Sequence, residues 1–376
     1  MPSSTVWKLV RLNFDRNPVH FGETGIGLEN TTERAHSDTL FSAWVSAYAR
    51  VFGKTAVETL CARFNDKVPP FRLSSSFIYQ YRRDQSQASD EVYCVDYLPK
   101  PIVRPPHYPS DDLTFAKGYR QLQYLPLSVW QRWYQQSGFD EEDIQTLEAY
   151  IRNPEKVKAS SSPLTVTGTF AYGDAFKRST LPKVAVDRST RATNFYHTRF
   201  VQYAPQAGLY FLVSFPQTDI SLLEELQAAL LFLGEEGIGG ERSSGAGRFT
   251  ATWSDLPASW QSLLAADATT HHSLISLFWA KPDSQQFQQI SQLLSSPTQS
   301  RTYYTLKARG GWIASPTGHQ LRRQVVSMMA EGSVLPKVAF PEVPVGALAN
   351  VTPESFRQHQ IYRSGVSMSL PIALEL

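Results

Sequence analysis

The chain has 376 residues, of which 42% are apolar and 19% charged, with 36 basic and 34 acidic side chains. This length predicts two or three domains, and the low charge content excludes long charged tails. A net charge of +2 excludes nucleic-acid binding through overall charge, so any such binding needs local basic patches. The two cysteines exclude a disulfide framework and a cysteine-rich zinc module.

We expect a cytoplasmic protein with no membrane partner. The N-terminal residues do not show the basic start and apolar core of a signal peptide. The apolar runs are far shorter than the roughly 20 residues of a membrane span. Low cysteine content is also compatible with a reducing compartment.

The first elements predicted are a strand at residues 6–14 and a helix at residues 36–52. The strand alternates and is rich in β-branched and aromatic residues. The helix carries apolar residues at three- and four-residue spacing. Ser37 or Asp38 is its candidate N-cap, and Gly53 is its candidate stop.

Residues 69–182 are irregular and rich in proline, which predicts an insertion. One helix is predicted within it, at residues 141–152. Strand character then returns at residues 183–186, 196–203 and 208–215.

An amphipathic helix at residues 219–233 leads into a glycine-rich loop at residues 234–249 and a strand at 250–253. This order fits a ferredoxin-like βαββαβ domain over residues 1–255, carrying the insertion at about 69–182. Residues 256–376 begin in the same way and predict a second, degenerate copy. The elements predicted there are strand 273–279, helix 284–294, and strands 301–309, 321–329 and 360–374.

The glycine-rich loop is the strongest chemical signal. It contains Gly237, Gly239, Gly240, Gly245 and Gly247, with Arg242, Arg248, Ser243 and Ser244 among them. Many glycines in one loop permit close approach of the backbone to a ligand, and backbone N–H groups bind anions. Phosphate or phosphodiester is therefore the expected ligand. The helix–loop–strand order does not fit a Walker or Rossmann loop, and a simple turn before an edge strand stays open.

A second signal is the basic segment 177–199, which has a local charge balance of +5. Its charged residues are Lys177, Arg178, Lys183, Arg188, Arg191 and Arg199 against Asp187. Phe195 and Tyr196 lie among them, and basic charge with exposed aromatic rings is typical of single-stranded nucleic-acid binding. A solvated strand face with core aromatics stays open.

A third basic segment, residues 301–323, lacks acidic residues. It contains Arg301, Lys307, Arg309, Arg322 and Arg323, with a turn at Gly310-Gly311-Trp312. It could face RNA, face a protein, or be a solvated basic edge that guards a strand against pairing.

No set of residues forms a convincing catalytic or metal site. His36 could act as a general base or simply form a hydrogen bond. The eight histidines show no metal-ligand spacing. We therefore expect no catalytic residue, no metal and no cofactor.

Six motifs in order resemble a known family. They are HSDTLFSA at 36–43, LPKVAVDR at 181–188, GIGGERSSGAGRF at 237–249, GGW at 310–312, EGSVL at 331–335 and HQIYRSG at 359–365. Together they are similar to the fourth subunit of the type III-A CRISPR effector, the Csm complex. That subunit is a RAMP-superfamily protein of the Cas-five-like group.

The resemblance implies an α+β fold with two ferredoxin-like (RRM-like) RAMP domains and a long insertion in the first. It implies a non-catalytic, guide-RNA-binding subunit that caps the 5′ handle of the crRNA. The implied protein partners are the large polymerase/cyclase-like subunit and a backbone RAMP subunit. A protruding hairpin, or thumb, would lie between residues 69 and 182.

Single-stranded RNA can be bound through phosphates, 2′-hydroxyls and splayed bases, so we assign the polar and glycine residues of the motifs to RNA. The predicted RNA-binding residues are His36, Ser37, Lys183, Arg188, Arg191, Gly237, Gly239, Gly240, Arg242, Ser243, Ser244, Gly245 and Gly247. Three alternatives stay open: a RAMP endoribonuclease that cuts CRISPR repeat RNA with His36 and Tyr196, the equivalent subunit of a Cmr-type complex, and an RRM-like protein without RNA contact.

Overall fold

The computed structural model describes most of the chain, which folds into helices and antiparallel sheets. The described residues are 5–22, 30–83, 92–187, 189–217, 219–266, 269–296, 300–313, 321–340 and 345–374. The strands are β1 (Thr5–Asn13), β2 (Arg72–Leu73), β3 (Phe77–Arg83), β4 (Val92–Pro99), β5 (Tyr124–Pro126), β6 (Phe176–Val186), β7 (Thr193–Tyr203), β8 (Ala207–Pro216), β9 (Thr250–Asp255), β10 (His271–Leu274), β11 (Leu306–Arg309), β12 (Val326–Met329), β13 (Val334–Pro336), β14 (Leu348–Asn350), β15 (Tyr362–Ser364) and β16 (Ser369–Ile372). The α-helices are α1 (Ser37–Phe52), α2 (Lys54–Arg63), α3 (Leu113–Gln121), α4 (Leu127–Gln135), α5 (Glu141–Arg152), α6 (Pro154–Lys158), α7 (Pro163–Val166), α8 (Ile220–Glu236), α9 (Ala258–Leu264) and α10 (Gln285–Ser295).

The main sheet has the strand order β5-β4-β3-β8-β1-β9, with β2 paired to β8. Each of these strand pairs is antiparallel. Along the chain, β1, α1, β3, β8, α8 and β9 follow a βαββαβ order, and β1 lies between β8 and β9 in the sheet. The glycine-rich loop thus joins the second helix of this unit to its edge strand.

Elements with strong local signals were predicted correctly. β1 and α1 start and end within one residue of the predicted strand and helix, and α5 has the predicted bounds. Gly53 ends α1 with a φ of 89°, but His36 is the N-cap residue in place of Ser37 or Asp38.

Part of the predicted insertion belongs to the main sheet. β3 belongs to the main sheet, between β4 and β8. The rest folds mainly into short helices around the buried rings of Phe115, Trp130, Trp133 and Phe139. The other helices of this region have four to nine residues, too few turns for their periodicity to be recognised, whereas α5 has twelve.

The C-terminal half contains a three-stranded sheet with the order β13-β10-β16 and the two strand pairs β11–β12 and β14–β15. Its strands are shorter than predicted. Ile275, Val334 and Leu370 share one apolar cluster with Leu9 and Tyr210 of the main sheet. The two predicted domains therefore pack through a common core, and the boundary at residue 255 stays a prediction.

The protruding hairpin is formed by β6 and β7, at residues 176–203. The two strands pair in register from Phe176 with Tyr203 to Val186 with Thr193. The strands form a separate two-stranded sheet, and most of β6 is exposed. The prediction placed a protruding hairpin between residues 69 and 182, whereas this one starts at Phe176 and extends to Tyr203. Pro182 lies inside β6, where a two-stranded ribbon tolerates a missing N–H donor.

Within the part of the chain that the structure describes, no helix combines the length and apolar character needed to cross a membrane.

Candidate nucleic-acid interface

The glycine-rich loop folds back on its own chain. A side chain at Gly239 would meet the His20 carbonyl oxygen at 2.4 Å, and one at Gly247 would meet that of Ile238 at 2.1 Å. At Gly237 the obstacle is the carbonyl oxygen of Ala246, at 2.6 Å. Internal packing therefore explains these three glycines, which corrects the expectation that a bound ligand requires them.

Two loop amides are used for internal hydrogen bonds. The Gly240 amide donates to His20 O and the Gly247 amide to Pro18 O, both at 2.8 Å. Gly240 also has no room for a side chain, because a Cβ added there would lie 2.8 Å from the His20 ring. These two amides are therefore not free to bind phosphate. Gly245 differs, with a φ of +85° and open space around it.

The tip of the loop is the part available to a ligand. Glu241 adopts the left-handed conformation, a single 3₁₀ turn follows at Arg242–Ser244, and Gly245 is left-handed again. The side chains of Arg242, Ser243 and Ser244 are exposed. Arg242 and the Ser243 hydroxyl can bind an anionic ligand at this tip, whereas Ser244 Oγ donates to Glu241 O at 2.9 Å.

Lys183 joins the hairpin to the loop tip. Its ammonium group donates to the Glu241 carboxylate and, at 3.2 Å, to Ser244 Oγ. The loop and hairpin are also linked through residues 18–20, since Val19 forms a bridge with Val201. The charge of Lys183 is compensated by Glu241, so this residue positions the loop and adds no net charge to the surface.

The outer part of the hairpin carries cations and aromatic rings. Arg199 lies opposite Thr180 and Phe195 opposite Val184, on the same face of the ribbon. Phe195 is 60% exposed, and its ring packs edge-on against His197 at 4.9 Å. On this face the Phe195 ring can stack on an unpaired base, and the Arg199 guanidinium can bind a phosphate.

The hairpin turn holds Arg191 at its end. Asp187 accepts hydrogen bonds from the amides of Ser189 and Thr190, at 2.8 and 2.9 Å. The Ser189 hydroxyl, which donates at 2.6 Å, and these two amides hold the pKa of Asp187 well below its ordinary value. Arg191 is exposed, with a φ of 59°. Arg188, also predicted to bind RNA, lies outside the described residues.

The interface has an excess of positive charge. Among the described residues, the exposed basic side chains that form no ion pair here are Lys177, Arg191, Arg199, Arg242 and Arg248. Arg178 pairs with Glu33 at 2.8 Å. The nearby acids Glu241 and Asp187 are already engaged, so the surface as a whole attracts an anion.

His36 and Ser37 do not belong to this surface, which corrects their predicted role. His36 Nδ1 lies 2.7 Å from Glu331 Oε1, and its Nε2 lies 3.0 Å from Lys307 Nζ. Ser37 Oγ accepts a hydrogen bond from the Leu277 amide at 3.0 Å. Both residues are at most 4% exposed, so RNA cannot reach them in this conformation.

The buried polar residues around the start of α1 form an ionic junction with the C-terminal half. Arg34 donates to both carboxylate oxygens of Glu331, at 3.2 and 3.3 Å. Burial alone would raise the pKa of Glu331, but Arg34 and His36 hold it well below its ordinary value. Asp38 accepts from Arg309 at 2.9 and 3.0 Å and also from Arg363.

This junction explains why several motifs occur together. The segments 36–43, 331–335 and 359–365 supply His36, Glu331 and Arg363 to it. Sequence reasoning missed Glu331 and Arg363, although a lone glutamate within apolar EGSVL was a usable signal for a buried ion pair.

The third basic segment does not form one surface. Lys307 contacts His36, and Arg309 is buried against Asp38. Arg322 is exposed, and its guanidinium lies 4.8 Å from the centre of the Trp312 ring. The segment is therefore shared between the junction and separate surface contacts.

Comparisons with known proteins agree on one class, the CRISPR-associated proteins. Residues 267–372 match the family described as the CRISPR Csm4 C-terminal domain. The chain is 25% identical to the CRISPR system Cms protein Csm4 of Thermococcus onnurineus (strain NA1), over 90% of this chain and 91% of that protein. It is 23% identical to the protein of the same name from Methanocaldococcus jannaschii, over 94% of each chain. The C-terminal part of the chain thus matches the Csm4 family, and the chain as a whole is similar to Csm4 proteins of CRISPR systems.

Solved structures show the same fold. One match is the crystal structure of the Csm3-Csm4 subcomplex in the type III-A CRISPR-Cas interference complex, with a TM-score of 0.58 and 18% identity. It covers 98% of this chain and all of that chain. A second is the Csm1-Csm4 cassette in complex with cA4, with a TM-score of 0.53, 17% identity, and coverage of 99% and 100%.

Proposed function

We propose that the protein is a guide-RNA-binding subunit of a type III-A CRISPR interference complex. In this role it caps the 5′ handle of the crRNA and contacts the large polymerase/cyclase-like subunit and a backbone RAMP subunit. Csm4 relatives have been solved with Csm1 and with Csm3, which supports these partners. The βαββαβ order of the main sheet supports a ferredoxin-like first domain, and we propose that the C-terminal half is a degenerate second one.

The observation that carries the RNA-binding role is the basic surface formed by the loop tip and the hairpin. Arg242 and Arg199 are exposed without an acidic partner in the described chain, and Phe195 is an exposed ring on the same face of the hairpin as Arg199. Cations neutralise phosphates and release counterions, whereas aromatic rings stack on unpaired bases. A single-stranded handle offers both phosphates and unpaired bases.

We also propose that the protein binds RNA without cutting it. The endoribonuclease alternative needs His36 as an acid–base group. His36 is buried, with ring nitrogens directed at Glu331 and Lys307. A group in this position cannot reach a scissile phosphate unless the junction opens.

The test uses the complex co-expressed from this gene and its neighbours. UV crosslinking should map the 5′ handle to residues 177–199 or 237–249. The variant Arg199→Ala/Arg242→Ala should weaken RNA retention, and the slope of log affinity against log salt should fall by about 0.7 per arginine. Arg120→Ala, which removes one exposed charge from α3, is the matched control.

Two results would overturn the proposal. One is handle RNA that crosslinks only elsewhere in an intact complex. The other is a double variant with the affinity and salt slope of the control. Incubation of repeat RNA in EDTA should leave it uncut, and site-specific cleavage lost on His36→Ala would instead support the enzyme.

A further inference from the structure

A groove beside α1 has no role in the proposed RNA interface. It lies between α1, α2 and residues 358–362, and its volume is about 600 Å³. Apolar side chains line most of it, including Val45, Val57 and Ile361. An apolar cavity of this size with a few polar groups is a usual binding site.

The shape of the groove favours a polypeptide. Its lining residues on α1 run from Phe41 to Ala49, which corresponds to about 12 Å along the helix axis. Those on α2 start at Lys54 and continue to Asn65, just beyond the end of that helix. A channel bounded by two helices over this length fits an amphipathic helix of about two turns.

Arg323 supplies a charge that the groove does not compensate. Its Nε is buried and has no hydrogen-bond partner in the described chain. Burial and, after it, the charge of the neighbouring Arg363 lower the pKa of Arg323 to about 10. Asp38 is the nearby acid, but it is already bonded to Arg309 and Arg363.

The carboxylate of Glu58, which also lines the groove, does not compensate the charge of Arg323. Lys54 and Glu58 pair with each other at 3.7 Å, and both are well exposed. Arg323 is half-buried. A guanidinium taken partly out of water without an anion is costly, and a carboxylate in bidentate contact would compensate it. Nucleic acid is a poor fit, because Lys54 is already paired with Glu58 and the lining is otherwise largely apolar around Arg323.

We infer that this groove docks an amphipathic helical segment of another subunit, with one carboxylate of that segment paired to Arg323. The inference relies on the proposed function for the existence of an assembly, but not on the RNA contacts of the hairpin and loop. It assigns Arg323, unlike the neighbouring Arg322, to a protein contact.

The experiment places a photo-crosslinking amino acid at Ser46, an exposed residue of the groove, in the co-expressed complex. Mass spectrometry should identify one segment of a partner subunit, amphipathic in the helical sense and carrying an aspartate or glutamate. Arg323→Met should weaken binding of that subunit at least about tenfold. Arg322→Met is the matched control, since Arg322 lies over Trp312, and it should bind normally.

A second variant tests the inference independently, in case Arg323→Met does not fold. Ser46→Glu adds a competing carboxylate on an exposed helix surface and should weaken docking, whereas Ser46→Ala should not. Crosslinks to RNA, an intact complex without a crosslinked subunit, or equal binding by the Arg323 and Arg322 variants would each refute the inference. Guide-RNA retention is scored in the same samples, so that loss of RNA with docking intact refutes only the proposed RNA role.

Discussion

Two glycines of the glycine-rich loop have similar φ angles but different surroundings. Gly245 and Gly247 have φ angles of +85° and +82°. Gly245 faces open space, whereas a side chain at Gly247 would lie 2.1 Å from Ile238 O. The first needs glycine for its backbone conformation alone, and the second needs it for packing as well.

We expect Gly247→Ala to lower the free energy of unfolding by roughly 2–5 kcal/mol, since left-handed strain adds to an overpacking cost. Gly245→Ala introduces only the left-handed backbone strain, and it should lower the free energy of unfolding by roughly 1–2 kcal/mol. Urea denaturation of both variants measures the difference. Equal losses would show that the close approach at Gly247 is not a determinant of loop stability.

At the scale of elements, the first turn of α1 connects the two halves of the chain. Asp38 lies in this turn and is fully buried. Its partners Arg309 and Arg363 come from β11 and β15, about 270 and 325 residues away in the chain. The position of α1 against the C-terminal half therefore depends on this carboxylate.

Asp38→Asn should lower the free energy of unfolding by about 3–5 kcal/mol, because two buried guanidinium groups lose their counter-charge. Glu58→Gln on α2 is the control, because it removes an exposed pair with Lys54 and should cost at most about 1 kcal/mol. Chemical denaturation of the two variants compares them. A loss at Asp38 as small as that at Glu58 would contradict the role of the junction.

At the scale of the whole molecule, the ionic junction couples stability to pH. Glu331 has an ordinary pKa of 4.5, which Arg34 and His36 lower in the folded protein. A carboxyl whose pKa is depressed on folding contributes stability above its unfolded pKa, and this stability is lost as the pH falls through the folded pKa. Acid should therefore weaken the attachment of α1 to the C-terminal half.

The difference in unfolding free energy between the wild-type protein and Glu331→Gln should be largest above about pH 5 and shrink below it. Urea denaturation at several values between pH 7 and 3 tests this. A difference that stays constant over this range would show that Glu331 does not titrate with folding.

The sequence alone determined the elements whose signals are local. The periodicity of α1 and Gly53 predicted that helix, and the acidic start at Glu141 predicted α5. The glycine-rich loop was placed correctly between α8 and β9. Spacing, caps and turn residues act over a few positions, so they can be read without the fold.

Which polar residues are accessible to a ligand depends on the tertiary structure. The sequence assigned both His36 and Lys183 to RNA, but His36 contacts Glu331 and Lys183 contacts Glu241. Arg322 and Arg323 are adjacent, yet one is exposed over Trp312 and the other lines a groove. Burial and ion pairing depend on residues brought together from distant parts of the chain, and local patterns carry no information about those distances.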